Sequence, residues 1–108
     1  MANSRKNPRY IDQIDDVVAR DVDTLRVKDK EYGGSWQRRG GTGAFMMAAR
    51  KFDRLEESVK KHGYDIFRAI EQDTRAEGVL DDIRDLRAYL TLIEAEMVAR
   101  GVVKLEES

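Results

Sequence analysis

The sequence predicts an all-α protein: a small helical bundle of three long helices and one short helix, assembling across subunits. Apolar residues recur at steps of three and four along most of the 108-residue chain, which is the helical period. No strand-like alternation of any length interrupts them, and the single proline is Pro8. A chain of this length is typical of one domain, so we expect a single domain over residues 1–108.

Composition excludes several classes of protein. Twenty basic residues nearly balance 21 acidic residues, whereas a general nucleic-acid binder carries a basic excess, so no long nucleic acid is expected as a partner. The absence of cysteine excludes disulfides and thiolate metal sites. No apolar run approaches the roughly 20 residues that span a bilayer, and the first residues lack a signal-peptide pattern. We therefore expect a cytoplasmic protein without a membrane partner.

The first long helix is predicted to begin at Asn7 and Pro8, a capping side chain followed by a residue suited to the first turn. It is expected to run to about Tyr32, where Gly33 and Gly34 end it. Its apolar stripe is Ile11, Ile14, Val18, Val22 and Leu25.

Residues 33–43, GGSWQRRGGTG, contain five glycines and predict a flexible loop. Thr42 is expected to cap the second long helix, and Gly63 to follow its end. The predicted stripe of this helix is Phe45, Ala49, Phe52, Leu55 and Val59. A short helix is expected after Asp65, with the apolar residues Ile66, Phe67 and Ile70.

Thr74 and Glu77 have the spacing of a capping box for the last long helix. That helix is expected to run to about Arg100, with Gly101 after it and a loose tail beyond. Its predicted stripe is Val79, Ile83, Leu86, Leu90, Ile93 and Met97.

The segment EGVLDDIRDLRAYL carries an acid at every fourth position, Glu77, Asp81 and Asp85. Like charges at this spacing repel along one helix face, and a divalent cation would remove that repulsion. Carboxylate oxygens are the ligands that Mg²⁺ prefers. We therefore predict Mg²⁺ as the cofactor, held by these three acids. Structural ion pairs of Asp81 and Asp85 with Arg84, Arg87 or Arg54 are the alternative.

Both sides of the last helix are expected to be buried, because small and apolar residues also surround the acids on the far side. These are Ala88, Tyr89, Leu92 and Ala95. The second side would meet another subunit or line a cleft. Asp82, in contrast, is expected at the edge of the stripe as a solvated charge.

The second helix carries charges of opposite sign, since Lys51 and Arg54 are three residues apart and share a face. Such cations bind phosphate oxygens, although surface ion pairs would explain them equally well. Trp36 could stack on a base or fold back onto the core. Lys28 and Glu31 pair at the same spacing, and His62 is interpreted as a helix-end residue.

The order and spacing of three segments resemble those of a known family. The segments are KDKEYGGSW (28–36), KFDRL (51–55) and EGVLDDIRDLRAY (77–89). They resemble the small phage and bacterial nucleotide-modification-associated domain, which is similar to the MazG-like all-α nucleotide pyrophosphohydrolases. The resemblance covers about Lys28 to Tyr89. It implies a bundle that forms a homodimer or homotetramer with nucleotide sites between subunits. In such enzymes carboxylates hold Mg²⁺, and a nucleoside triphosphate is cleaved between its α and β phosphates.

The resemblance can be carried over by position. Glu31 matches the acid before the Tyr-Gly of the first motif, and Lys51 and Arg54 match the basic pair of the second. The ladder of the third motif, at every fourth residue, is matched by Glu77, Asp81, Asp85 and Tyr89. MazG-like enzymes pair E-x-x-E on one helix with E-x-x-D on the next, whereas this chain offers K-x-x-R and E-x-x-x-D. The metal site would therefore be rebuilt, with Glu31 as a candidate, or lost.

Three functions remain open. The first is a Mg²⁺-dependent nucleotide hydrolase with Glu31, Asp81 and Asp85 as catalytic residues. The second is a phage-type protein that binds a modified or cyclic nucleotide without cleaving it, and the third is a helical assembly module whose charges are all paired. For the first two, the candidate substrate-binding residues are Lys28, Tyr32, Trp36, Arg38, Lys51, Arg54 and Tyr89, and the binding protein would add Arg39.

Overall fold

The computed structural model describes residues 9–107, and this part of the chain is all helical, with no strand. Three long helices and one short helix are present, as predicted. Their bounds are α1 Ile14–Tyr32, α2 Gly40–Lys60, α3 Ile66–Glu71 and α4 Val79–Ala99. Short 3₁₀ turns cover Tyr10–Gln13, Ser35–Gln37 and Leu105–Glu107. Between residues 9 and 107, no helix is both long enough and apolar enough to cross a membrane.

The chain divides into two compact units between Gly34 and Ser35, and the first of them is built on α1. The predicted start at residues 7 and 8 lies outside the described residues. The end at Tyr32 is confirmed: Gly33 has a φ of 57° and donates its N–H to the Asp29 carbonyl at 2.8 Å. Glycine is favoured there because a side chain strains a left-handed backbone.

No residue of α1 is buried. Four members of its predicted apolar stripe are exposed, namely Ile11, Ile14, Val18 and Val22. The helix therefore has the amphipathic pattern that the sequence predicts, and the first unit by itself does not bury its apolar side.

The second unit contains α2, α3 and α4, and α2 begins earlier than predicted. Its first residue is Gly40, so Gly41–Gly43 are helical and Thr42 is not the cap. The prediction was wrong because the low helix propensity of glycine is a weak signal, which tertiary packing can override. A Cβ at Gly43 would lie 2.7 Å from Cβ of Arg39, so this first turn is too tight for a side chain there.

The buried side of α2 consists of small residues. Ala44, Ala48, Ser58 and Val59 are its buried positions. Phe45 and Phe52 of the predicted stripe are exposed instead, while Leu55 and Val59 do pack inward. The first half of the helix thus turns short side chains inward in place of the predicted phenyl rings, while its second half faces the core as predicted.

The apolar core of the second unit joins all three of its helices. Val59 of α2, Ala69 of α3 and Val79 of α4 form its buried centre. Leu55, Ile66, Ile70 and Ile83 pack around them and are partly buried. Helix α3 follows Asp65, as predicted, and the Asp65 carboxylate caps it by accepting hydrogen bonds from the N–H groups of residues 67 and 68.

The start of α4 differs from the predicted capping box of Thr74 and Glu77. The Asp73 carboxylate accepts from the N–H of Val79, and the Asp81 carboxylate accepts from the N–H of Gly78 at 3.0 Å. Glu77 therefore precedes the helix, and the expected three-acid ladder on a single helix face was wrong. The reason is that Asp73, five residues before the N-cap Gly78, accepts from a backbone N–H of the first turn. The capping box was expected to provide this acceptor through Thr74.

Gly78→Ala tests this helix start. A Cβ at Gly78 would overlap the Asp73 carboxylate, which is held by its other hydrogen bonds. We expect the free energy of unfolding to fall by about 1–3 kcal/mol, measured by urea denaturation. Gly41→Ala is the control: a Cβ there meets nothing within 4 Å, and we expect a gain of about 0.5–1 kcal/mol. Equal stability of Gly78→Ala and the wild type would contradict the close contact between Gly78 and the Asp73 carboxylate.

Candidate functional site

Two cations of α2 face two carboxylates of α4. Lys51 Nζ lies 3.1 Å from Asp85 Oδ2, and Arg54 Nε lies 3.4 Å from Asp82 Oδ1. The pairs run in antiparallel order, since the earlier cation meets the later acid. We call these four residues the charged seam. It brings together three of the predicted site residues, Lys51, Arg54 and Asp85, with one that the sequence analysis set aside.

Asp82 is the most buried charged residue among those described. Its side chain is 2% exposed, against 42% for Arg54, and its Oδ2 has no hydrogen-bond partner. Leaving a buried polar atom unpaired costs about 1–3 kcal/mol. The prediction of a solvated charge was wrong because Asp82 follows buried Val79 by three residues and so shares its inward face. That spacing was the signal that could have identified it.

The predicted magnesium ligands lie in three different environments. Glu77 is exposed and precedes α4. The Asp81 carboxylate accepts a hydrogen bond from the N–H of Gly78, and the Asp85 carboxylate forms an ion pair with Lys51. Over residues 9–107, no group of three or more acidic, histidine or cysteine side chains is placed to hold a metal ion.

The remaining predicted site residues are distributed over both units. Lys28, Glu31 and Tyr32 lie exposed on the last turns of α1, in the first unit. In the second unit, Arg38 is exposed before α2, and Tyr89 is half-buried on α4.

Trp36 lines an open cleft of about 220 Å³ between the start of α2 and the end of α4. Phe45, Ile93 and Met97 contribute its other large apolar walls. The indole is half-buried, so it is packed against the unit while one part stays accessible. A flat apolar group is the kind of ligand that such a cleft accommodates.

A polar network borders this cleft. Arg100 donates to Glu96 at 2.8 Å, and Gln37 donates to the other oxygen of Glu96 at 3.3 Å. The Arg100 guanidinium, followed by the Gln37 amide, holds the pKa of Glu96 below its usual range. The carboxylate is thus kept ionised and fixed at the edge of the cleft.

A second network, absent from the sequence analysis, centres on Asp73. The Arg75 side chain donates to both Asp73 oxygens, at 2.9 and 3.2 Å, and to Ser58 Oγ at 3.0 Å. The Arg75 guanidinium and the Val79 N–H lower the pKa of Asp73 far below its usual range. The loop between α3 and α4 is thereby fastened to α2. The D-x-R spacing was visible in the sequence, but its partner Ser58 was not.

Comparisons with protein-family models, with curated proteins and with solved structures gave no match. The resemblance to MazG-like proteins therefore depends on the three sequence segments alone.

Unequal burial within the Arg54–Asp82 pair gives a testable asymmetry. Arg54→Met leaves a buried carboxylate without its nearest cation, and we expect a loss of about 1–3 kcal/mol in the free energy of unfolding. Asp82→Asn frees a guanidinium that solvent already reaches, so we expect a change of less than about 1 kcal/mol. Urea denaturation of both variants measures the difference. A larger loss for Asp82→Asn would show that the carboxylate itself holds the fold.

Proposed function

We propose that this chain is a nucleoside-phosphate-binding domain of MazG-like type, in which Lys51 and Arg54 contact the phosphates. The observation that carries the proposal is the charged seam, in which these two cations face Asp82 and Asp85 across two helices. A pair of cations at adjacent turns is suited to the oxygens of successive phosphates.

The exposure of the seam supports an exchange of partners. Lys51 and Arg54 both keep part of their side chains accessible, at 23% and 42%. In the Lys51–Asp85 pair both partners are partly exposed, and such pairs contribute about 0–1 kcal/mol, so an incoming phosphate can compete with Asp85 for Lys51. Multiple charge-assisted hydrogen bonds to one ligand would then favour the bound state.

The Trp36 cleft supplies the second half of a nucleotide site. Ala44 lines it and Lys51 lies seven residues further along the same helix, which corresponds to about 10 Å of helix. In our proposal the base stacks on Trp36 while the sugar and phosphates extend towards Lys51 and Arg54.

We further propose that the functional form is a homodimer or homotetramer. The exposed apolar residues support this, because soluble monomers rarely leave large apolar patches uncovered. On α2 and α4 they include Phe45, Met46, Phe52, Leu80 and Leu90. A second subunit covering such faces could also bring residues of α1 to the nucleotide.

A hydrolase is the second candidate, and the unpaired Oδ2 of Asp82 favours it. A buried carboxylate oxygen without a partner is available to a cation. The described acids of one chain do not provide three ligands together, so in this alternative Mg²⁺ would also take ligands from a second subunit. Bound there, Mg²⁺ would neutralise phosphate charge and activate a water molecule.

Lys51→Gln tests the phosphate contact. In a thermal-shift screen of nucleoside mono-, di- and triphosphates and cyclic nucleotides, we expect stabilisation of the wild type. Ligand at about 100 times its Kd adds about 2.7 kcal/mol. Lys51→Gln should weaken binding about tenfold, the loss of about 1.4 kcal/mol of charge-assisted contact.

The control is Arg50→Gln, which removes a neighbouring exposed cation of α2 outside the seam. It should bind like the wild type. If Lys51→Gln and Arg50→Gln weaken nucleotide binding equally, the effect is one of general surface charge. If no nucleotide stabilises the wild type, the proposal is contradicted.

Asp85→Asn separates binding from hydrolysis, because it releases Lys51 from its acid. A binding protein should then hold phosphates as tightly as before or more tightly, and return the nucleotide intact. A hydrolase should show Mg²⁺-dependent product in the wild type, none in EDTA and none in Asp85→Asn. Chromatography of the nucleotide after incubation, beside calorimetric affinities, distinguishes the two.

A further inference from the structure

A small pocket of about 110 Å³ with a polar lining lies beside the loop between α3 and α4. Its polar lining consists of Ser58, Lys61, His62, Asp73 and Arg75. All of these residues belong to the second unit, and none is among the residues that the sequence analysis assigned to a site. Lys51 and Arg54, the proposed phosphate contacts, do not line it.

The charges in this pocket are unbalanced in favour of cations. Lys61 and Arg75 are cationic, and the His62 ring adds an N–H donor. Asp73 is the only acid in the lining, and both of its oxygens already accept hydrogen bonds, from Arg75 and from Val79 N–H. Its negative charge is therefore compensated by the guanidinium of Arg75, which leaves the charge of Lys61 without an acid in the lining.

Arg75 is held in place from one side. Its contacts with Asp73 and Ser58 use Nε and Nη2, while the guanidinium carries further N–H donors on Nη1. The Ser58 hydroxyl accepts from Arg75 and donates to the Arg54 carbonyl at 3.3 Å, so it fixes the guanidinium at the pocket. A preorganised guanidinium loses less conformational entropy when it binds an anion.

We infer that this pocket is a binding site for a tetrahedral oxyanion of the phosphate class, contacted by Lys61, His62 and Arg75. A small cationic pocket with fixed donors matches the size and charge of one phosphate group. The inference does not depend on the proposed function, since none of the charged-seam residues takes part. The phosphate is either free inorganic phosphate or a phosphate group of a larger molecule.

Inorganic phosphate titrated into ¹⁵N-labelled protein tests the inference. We expect saturable shifts of the amide signals of Ser58, Lys61, His62 and Arg75. Lys61→Gln should weaken the apparent affinity about tenfold, which corresponds to about 1.4 kcal/mol. Lys61 is exposed and after the end of α2, so this change should leave the fold intact, as the unperturbed remainder of the spectrum would show.

Lys60→Gln is the matched control. Lys60 is the preceding residue, pairs with Glu57 at 3.6 Å and does not line the pocket, so phosphate affinity should stay within about twofold of the wild type. Equal weakening in both variants would overturn the inference in favour of diffuse attraction. Absence of saturable shifts, or shifts confined to the charged seam, would also overturn it.

Titration of a nucleoside monophosphate and of its nucleoside identifies the source of the phosphate. Tighter binding of the monophosphate than of inorganic phosphate, lost in Lys61→Gln, would support a phosphate group of a larger molecule. Equal binding of the two, with no shift from the nucleoside, would support a free oxyanion. A nucleotide that still stabilises Lys61→Gln but no longer stabilises Lys51→Gln would bind at the charged seam alone. The experiment therefore tests the seam and the small pocket separately.

Discussion

The packing of α2 against α4 depends on small residues that allow close approach and on ion pairs that set the register. Ala44 and Ala48 are buried on α2, and side chains of this size let two helices approach closely. Lys51–Asp85 and Arg54–Asp82 then align the helices, because a slide by one turn would place each cation opposite the wrong position. A buried carboxylate adds little net stability, and its contribution here is to specify one arrangement.

The core of the second unit is built from small apolar residues, and its larger apolar side chains lie on the surface. The buried centre joining the three helices of the second unit is Val59, Ala69 and Val79, whereas Phe45 and Phe52 are exposed on α2. A small domain buries a modest share of its surface in any case, and this unit does not use its largest apolar side chains in its own core. The same property that makes the α2–α4 contact close therefore leaves apolar area for further contacts, consistent with the proposed assembly.

Helix number, type and several ends followed from the sequence, because periodicity and glycine act locally: Gly33 after α1 and Asp65 before α3 are examples. The inward face of the first half of α2 and the burial of Asp82 on α4 did not follow, since a helical wheel assigns phenyl rings to the core and aspartates to solvent. Asp82 reversed this rule because Arg54, far away in sequence, compensates its charge. The facing charges of the candidate site were predictable from spacing; their pairing required the tertiary structure.

The ion pairs of the second unit differ in which partner faces solvent. Asp82 and Asp73, 2% and 12% exposed, lie beneath Arg54 and Arg75, at 42% and 48%. Lys51 is instead the less exposed partner of Asp85, at 23% against 34%. The arginines are thus ordered by acids behind them and can accept an anion without leaving those acids. Lys51 must exchange Asp85 for a phosphate, so its pair is the one element of the seam whose partner would change on binding.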